Sequence, residues 1–239
     1  MIISPLVVYT KVSPNKSARK AKIDTITIHH MACNPTIETQ GDNFAVSSRQ
    51  ASSNYGIGSD GRIACYAPEE YRSWCSNSRA NDDRAITIEV ANDGREPDWH
   101  ISDAAITSLI KLCADICQRN DIKELKWQDN KSLVGQIDKQ NVTIHKWFAN
   151  TACPGPYIKS KTTYICECVN ALLKGQDKQV VSPSKSTKTN EELAVEVIRG
   201  LWGVYPERKK LLEEAGYNYS EVQKIVNQLM NGKYNVYFD

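Results

Sequence analysis

The sequence predicts an α/β fold, with a mixed central β-sheet flanked by helices, followed by a small C-terminal three-helix domain. Three observations lead there. Short β-branched runs alternate with longer segments of helical apolar spacing. Composition changes abruptly over Gln176–Asn190, QDKQVVSPSKSTKTN, where Ser, Thr, Lys and Pro displace large apolar residues as in a linker. Beyond it, apolar stripes recur at helical spacing to the end of a 239-residue chain, which is long enough for one to two domains.

The strands are read from β-branched runs bounded by turn residues: Thr25–His30, Tyr55–Ile57, Ile63–Tyr66, Ala85–Val90 and Val142–Lys146. Asn43–Ser52 is a weaker helical segment. Ser102–Asn120 is the clearest helix, with Ser102 as cap and Asp103 at its positive end. Along it Ile106, Leu109, Ile110, Cys113, Ile116 and Cys117 keep helical spacing. A further helix follows the Pro154-Gly155-Pro156 punctuation, over Tyr157–Lys174. The expected organisation is a larger domain at 1–175, a flexible linker at 176–189, a helical repeat at 190–232 and a tail at 233–239. In the repeat, Leu193, Val197 and Ile198 form one stripe and Val222, Ile225, Val226 and Leu229 another, with Gly200, Gly203 and Gly216 as helix stops.

Thirty basic against 28 acidic residues leave a net charge of +2, so no nucleic-acid partner is expected. No apolar run approaches the roughly 18 residues of a membrane span, so no membrane insertion is expected either. Met1–Thr10 is apolar but lacks a leading positive charge, and Pro5 interrupts it. The expectation is a protein made in the cytoplasm without a signal peptide. Eight cysteines are spread through a chain with enough apolar content for its own core, so most are expected reduced and buried.

Three strands contain nearly the same tripeptide: Thr27-Ile28-His29, Thr87-Ile88-Glu89 and Thr143-Ile144-His145. Side chains alternate faces along a strand. His29 therefore shares a face with Thr27, and Glu89 with Thr87, while the isoleucines face the other way. If the strands are neighbours, two imidazoles and a carboxylate emerge together near the strand ends. Cys153 follows His145 by eight residues in HKWFANTACPG, a loop able to return a thiolate to the same mouth. Imidazole and thiolate are good zinc ligands, and three protein ligands plus water is the catalytic pattern. A nearby carboxylate outside the ligand set supplies a general base. His30, adjacent to His29, points to the apolar layer and is expected to be a hydrogen-bonded structural histidine. His100 is expected to be exposed.

TITIHHMA, SSNYGIGSDGRI, AITIEVAND and VTIHKWFANTACPGPYI resemble the N-acetylmuramoyl-L-alanine amidases related to peptidoglycan recognition proteins, over about residues 20–172. That resemblance implies one Zn²⁺ held by His29, His145 and Cys153, with Glu89 as the catalytic glutamate. It makes Thr151, a position that is Lys in some members, a hydrogen-bond donor to the transition-state oxygen. Several relatives carry a catalytic Tyr at the position of Ser53. Here Tyr55 stands closer to the Asp60-Gly61 turn, as in the bacterial and phage branch, so Tyr55 is left a structural or substrate-wall role. Asn54 and Trp74 are further substrate contacts, with a core role weighed equally for Trp74.

EELAVEVIRGLWGVYPERKKLLEEAGYNYSEVQKIVNQL resembles the short three-helix cell-wall-binding repeat at the C-terminus of some phage lysozymes. The resemblance makes Trp202, Arg208, Tyr217 and Tyr219 the candidate wall contacts, although the aromatic residues also suit a small core. The whole reads as a phage-type endolysin acting on peptidoglycan, with a Gram-positive target and an open oligomeric state, reaching the wall after release. The alternatives weighed are a non-catalytic peptidoglycan-binding protein and a bacterial autolysin amidase.

Overall fold

Ile, Val and Thr dominate the longest strands, and their stiff branched side chains suit a pleated surface covered on both faces. The computed structural model describes residues 1–175, 188–198, 202 and 207–230. In it β1 (Tyr9–Thr10), β3 (Thr25–His30), β4 (Tyr55–Ile57), β5 (Ile63–Cys65), β7 (Ala85–Val90) and β8 (Val142–Ile144) form one sheet in the order β1-β5-β4-β7-β3-β8. All its pairings are parallel except β4 with β5. β2 (Lys16–Ala18) and β6 (Tyr71–Ser73) make a separate antiparallel ribbon. Strands this short carry no readable alternation, so β1, β2 and β6 went unpredicted.

One face of the sheet is apolar. Ile26, Ile28, Ile86, Ile88 and Val90 pack there against α3 (Asp103–Arg119) and α4 (Gly155–Leu173), through Leu109, Ile110, Cys113, Ile158, Ile165 and Val169. α3 keeps its expected bounds, because the Ser102 hydroxyl accepts from Ala105 N at 3.1 Å and caps it. Cys113 and Cys117 lie in the core as expected; all eight cysteines are free, with Cys33 exposed and Cys75 and Cys168 half-buried.

Two local expectations are corrected. The weak helix expected at Asn43–Ser52 is α1 (Ile37–Ala45), followed by a 3₁₀ turn at Ser47–Arg49. Thr36 caps it by accepting from Thr39 N. Gly41 disguised it: a glycine reads against a helix, but here the rings of Tyr9 and Tyr66 press within 3.2 Å of where a Cβ would stand. The strand expected to run to Lys146 stops at Ile144, and His145–Trp147 forms a 3₁₀ turn.

The chain divides into two compact units, Met1–Val180 and Val181–Asp239. The second has its own core, in which Leu193, Ala194 and Val197 of α5 (Asn190–Ile198) meet Leu212 of α6 (Glu207–Glu214) and Val222 and Val226 of α7 (Tyr219–Met230). Thr189 and Glu192 cap α5 reciprocally, Thr189 N donating to the carboxylate and Glu192 N to the hydroxyl. Ile198 is exposed, contrary to expectation; Ala194, one turn before it, takes the buried position. Gly216 N returns to Glu213 O just past α6. Gly200, Gly203, most of the expected linker at 176–189 and the tail at 233–239 lie outside the described residues. Among the described residues no helix is long and apolar enough to cross a membrane.

Candidate metal centre and active site

The polar face of the sheet brings the candidate residues together. Parallel pairing sets His29 of β3 opposite Glu89 of β7, with His29 Nδ1 3.9 Å from Glu89 Oε1. Thr27 faces Thr143 and Ile28 faces Ile144 across β3 and β8. His145 follows directly, and its ring centroid lies 4.9 Å from that of His29. The loop after His145 folds back on itself. Phe148 N and Ala149 N donate to His145 O, and Lys146 N donates to Cys153 O at 3.0 Å. Cys153 N donates to Thr151 Oγ1 at 3.2 Å. Cys153 Sγ comes to 3.5 Å from His29 Nδ1 and accepts from His30 N at 3.4 Å. Gly155 ends this turn at φ +80°, where a Cβ would be strained and would crowd the His30 ring at 3.1 Å.

His29, His145 and Cys153 bring one donor atom each within 4.8 Å of one another, a group able to hold a metal ion. With bond lengths of about 2.0 Å to nitrogen and about 2.3 Å to sulfur, tetrahedral zinc separates its N and S ligands by about 3.5 Å. The 3.5 Å between His29 Nδ1 and Cys153 Sγ fits that. His29 is fully enclosed and its Nε2 has no hydrogen-bond partner among the described residues. Burial, helped by the neighbouring His145, holds the His29 imidazole well below its usual pKa, and burial lowers His145 too. Both rings are thus neutral near pH 7, the ligand form. Burial pushes the Cys153 thiol up, with Glu89 adding to it, so the thiol keeps its proton until a cation displaces it. Burial also raises Glu89 to about 8, against a hydrogen bond from Cys75 that pulls it down. A cation on the adjacent ligands favours its ionised form.

Residues 19–156 match the N-acetylmuramoyl-L-alanine amidase family. The chain belongs to that family. The amidase acts on peptidoglycan, and its residues 191–230 match the CW_7 repeat. No curated protein matches it. Among solved structures it is similar in fold to the Staphylococcus aureus hydrolase AmiA in complex with its ligand, with a TM-score of 0.55, 17% identity, and coverage of 73% of this chain and 88% of that one. The PlyG catalytic domain aligns with a TM-score of 0.51, 13% identity, and coverage of 74% and 98%. A mutant endolysin from Bacillus subtilis aligns with a TM-score of 0.50, 16% identity, and coverage of 71% and 99%.

Tyr55, expected in a structural or substrate-wall role, and Asn54, expected to contact substrate, are both buried in the fold. Register pairs Tyr55 with Ile88 and Gly56 with Glu89, so Tyr55 projects from the apolar face, away from His29. Its hydroxyl donates to Glu69 Oε1 at 2.5 Å and accepts from Ser4 N. Asn54 is fully enclosed; its Nδ2 donates to Ala67 O and Tyr71 O, and its Oδ1 accepts from Thr87 N. Trp74 is half-buried with its indole N–H on Ser17 Oγ. His30 packs edge-on to Trp99, but its Nδ1 has no hydrogen-bond partner among the described residues, against the expected hydrogen-bonded role. His100 is exposed as expected and contacts Asp93 at 2.6 Å. In the second unit Trp202, Arg208, Tyr217 and Tyr219 are all half-buried. Trp202 donates to Glu196 and meets Tyr217 edge-on, and Arg208 donates to Gln223.

Sequence reasoning missed the layer under the centre. Asn81 Nδ2 donates to Thr27 Oγ1 at 2.9 Å, and Thr143 Oγ1 donates to Asn81 Oδ1 at 3.0 Å. Thr27 and Thr143 lie 2.8 Å apart. Thr143 has given its proton to the carbonyl, so Thr27 must donate to Thr143, and the three close a ring. The signal was the threonine repeated two residues before each functional side chain. Cys75 was missed outright; its thiol donates to Glu89 Oε1 at 3.7 Å.

Proposed function

We propose that this amidase is an endolysin-type enzyme that hydrolyses the amide between the lactyl group of N-acetylmuramic acid and the first L-alanine of the stem peptide. His29, His145 and Cys153 would hold one Zn²⁺, and Glu89 is the general base. The observation that carries this is the placement of the Glu89 carboxylate beside, but outside, a His/His/Cys donor set on one sheet face. Bound zinc acidifies water toward a pKa of about 7 and polarises a carbonyl.

The chain's own groups do the rest. Glu89 Oε2 is buried and makes no hydrogen bond among the described residues, so it is ready to take a proton from the attacking water. The hydroxyl oxygen adds to the carbonyl carbon, the C–N bond breaks, and the proton on Glu89 passes to the leaving alanine nitrogen. Thr151 Oγ1 accepts from Cys153 N, which leaves its own proton free for the oxygen that becomes negative.

In this reading the second unit tethers the enzyme to a Gram-positive wall through the half-buried Trp202, Arg208, Tyr217 and Tyr219. The CW_7 match supports this. The enzyme is made in a bacterial cytoplasm and meets the wall after release.

Glu89→Gln keeps the shape but cannot take the proton. It should retain zinc and lose about 10²–10⁴-fold in rate, with a smaller loss in Thr151→Ala. Digestion of purified peptidoglycan should release N-terminal alanine amines without new reducing ends. Full activity in Glu89→Gln removes it from the mechanism, and reducing ends without alanine amines show a glycosidase.

A further inference from the structure

His29 stands between two sets of donors. His145 and Cys153 lie in one; Cys75 and Glu89 lie in the other, and the donor atoms of His29, Cys75 and Glu89 also fall within 4.8 Å of one another. Cys75 Sγ is 3.7 Å from Glu89 Oε1. A thiolate and a carboxylate on one tetrahedral cation of zinc's size are about 3.6 Å apart. Glu89 Oε2, a buried atom of this group, has no hydrogen-bond partner among the described residues, although such atoms are rarely left unsatisfied.

The thiol is also held in place. Cys75 N and Ser76 N both donate to Asp82 Oδ2 at 3.1 Å, and Ser76 Oγ donates to Asp82 Oδ1 at 2.5 Å. Asp82 is itself enclosed. The hydrolysis described above needs no second thiol, because a serine hydroxyl would serve equally as a donor to Glu89.

We propose that Cys75 and Glu89, with His29 at their edge, form a second site for a thiophilic divalent cation, whose occupation disables the enzyme by capturing the general base. This rests on the reading of Glu89 as that base. Binding exchanges the Cys75 proton, released to solvent, for a sulfur–metal bond. His29 Nδ1 has one lone pair and serves one cation at a time. The second site therefore has two ligands of its own where the first has three, and it fills at higher metal concentration. Cadmium and excess zinc, both suited to thiolate, are the matching ions.

The test uses the full chain carrying Cys33→Ser, which removes the exposed thiol. Equilibrium dialysis with Cd²⁺ should give two ions per chain in this parent and one after adding Cys75→Ser or Cys75→Ala. The second binding step should add thiolate-to-cadmium charge-transfer absorbance only when Cys75 is present. Inhibition by excess Zn²⁺ should need at least about tenfold more metal in Cys75→Ser, each variant being scored against its own uninhibited rate. Two cadmium ions in the Cys75 variants, or inhibition at the parent's concentration, overturns the site. If Glu89→Gln is fully active, the base assignment fails, while the dialysis result still decides whether the site exists.

Discussion

Replacing Asn81 with alanine opens the hydrogen-bonded ring beneath the proposed metal centre. Asn81 is 6% exposed, and its amide joins Thr27 to Thr143, two residues before His29 and His145. The substitution deletes two bonds of the ring, a third to Ser76 Oγ at 3.2 Å and a longer fourth to the Asp82 carboxylate at 3.4 Å. At about 1 kcal/mol net for each neutral bond, the three neutral ones amount to about 3 kcal/mol. The Thr143 proton can turn back to Thr27, so the loss should stay within about 2–4 kcal/mol. Asn81→Asp should be at least as damaging. A carboxylate cannot donate to Thr27, and it stands next to Asp82, whose own carboxyl burial already pushes up. Urea unfolding measures the stability, and competition with a chromophoric chelator measures the zinc affinity. Loosening of β3, which carries His29, and of β8, which leads into His145, predicts weaker zinc binding as well as lower stability. A Thr27→Val/Asn81→Ala double-mutant cycle should show coupling above about 0.5 kcal/mol. Additive effects, or an Asn81→Ala protein within about 0.5 kcal/mol of wild type with unchanged zinc affinity, would refute the ring as a support.

Tyr55→Phe should lower stability by about 1–3 kcal/mol, since it strips the hydroxyl from Glu69 and Ser4. Activity should be unchanged, and a fall in kcat without a fall in stability would show that the ring reaches substrate after all. Zinc affinity should rise with pH by about tenfold per unit between pH 7 and 8, because the buried Cys153 thiol must give up its proton while burial keeps both imidazoles neutral there. A flat profile in the chelator competition would exclude the thiol as a ligand. A fragment spanning residues 188–239 should sediment with Gram-positive walls; its staying in solution would favour a stabilising appendage over wall binding.

Much of the site was legible from strand period alone. A β-strand turns its side chains over every two residues whatever its neighbours do, so Thr27 and His29 had to share a face, as did Thr87 and Glu89. The helix at Asp103–Arg119 was equally local, set by a capping serine and one apolar stripe. Tertiary structure decided what depends on neighbours. Tyr55 lies beside Ile88, not Glu89, because the register of β4 on β7 falls that way, and nothing within β4 encodes it. α1 was hidden because Gly41 answers to two tyrosine rings from other elements rather than to its own helix. Cys75 and Asn81 reach the centre from the loop after β6 and from α2 (Arg79–Arg84), held there by Asp82 and the threonines. Side-chain periodicity is a property of one segment, whereas register and long-range hydrogen bonds belong to pairs of segments, so only folding brings them into being.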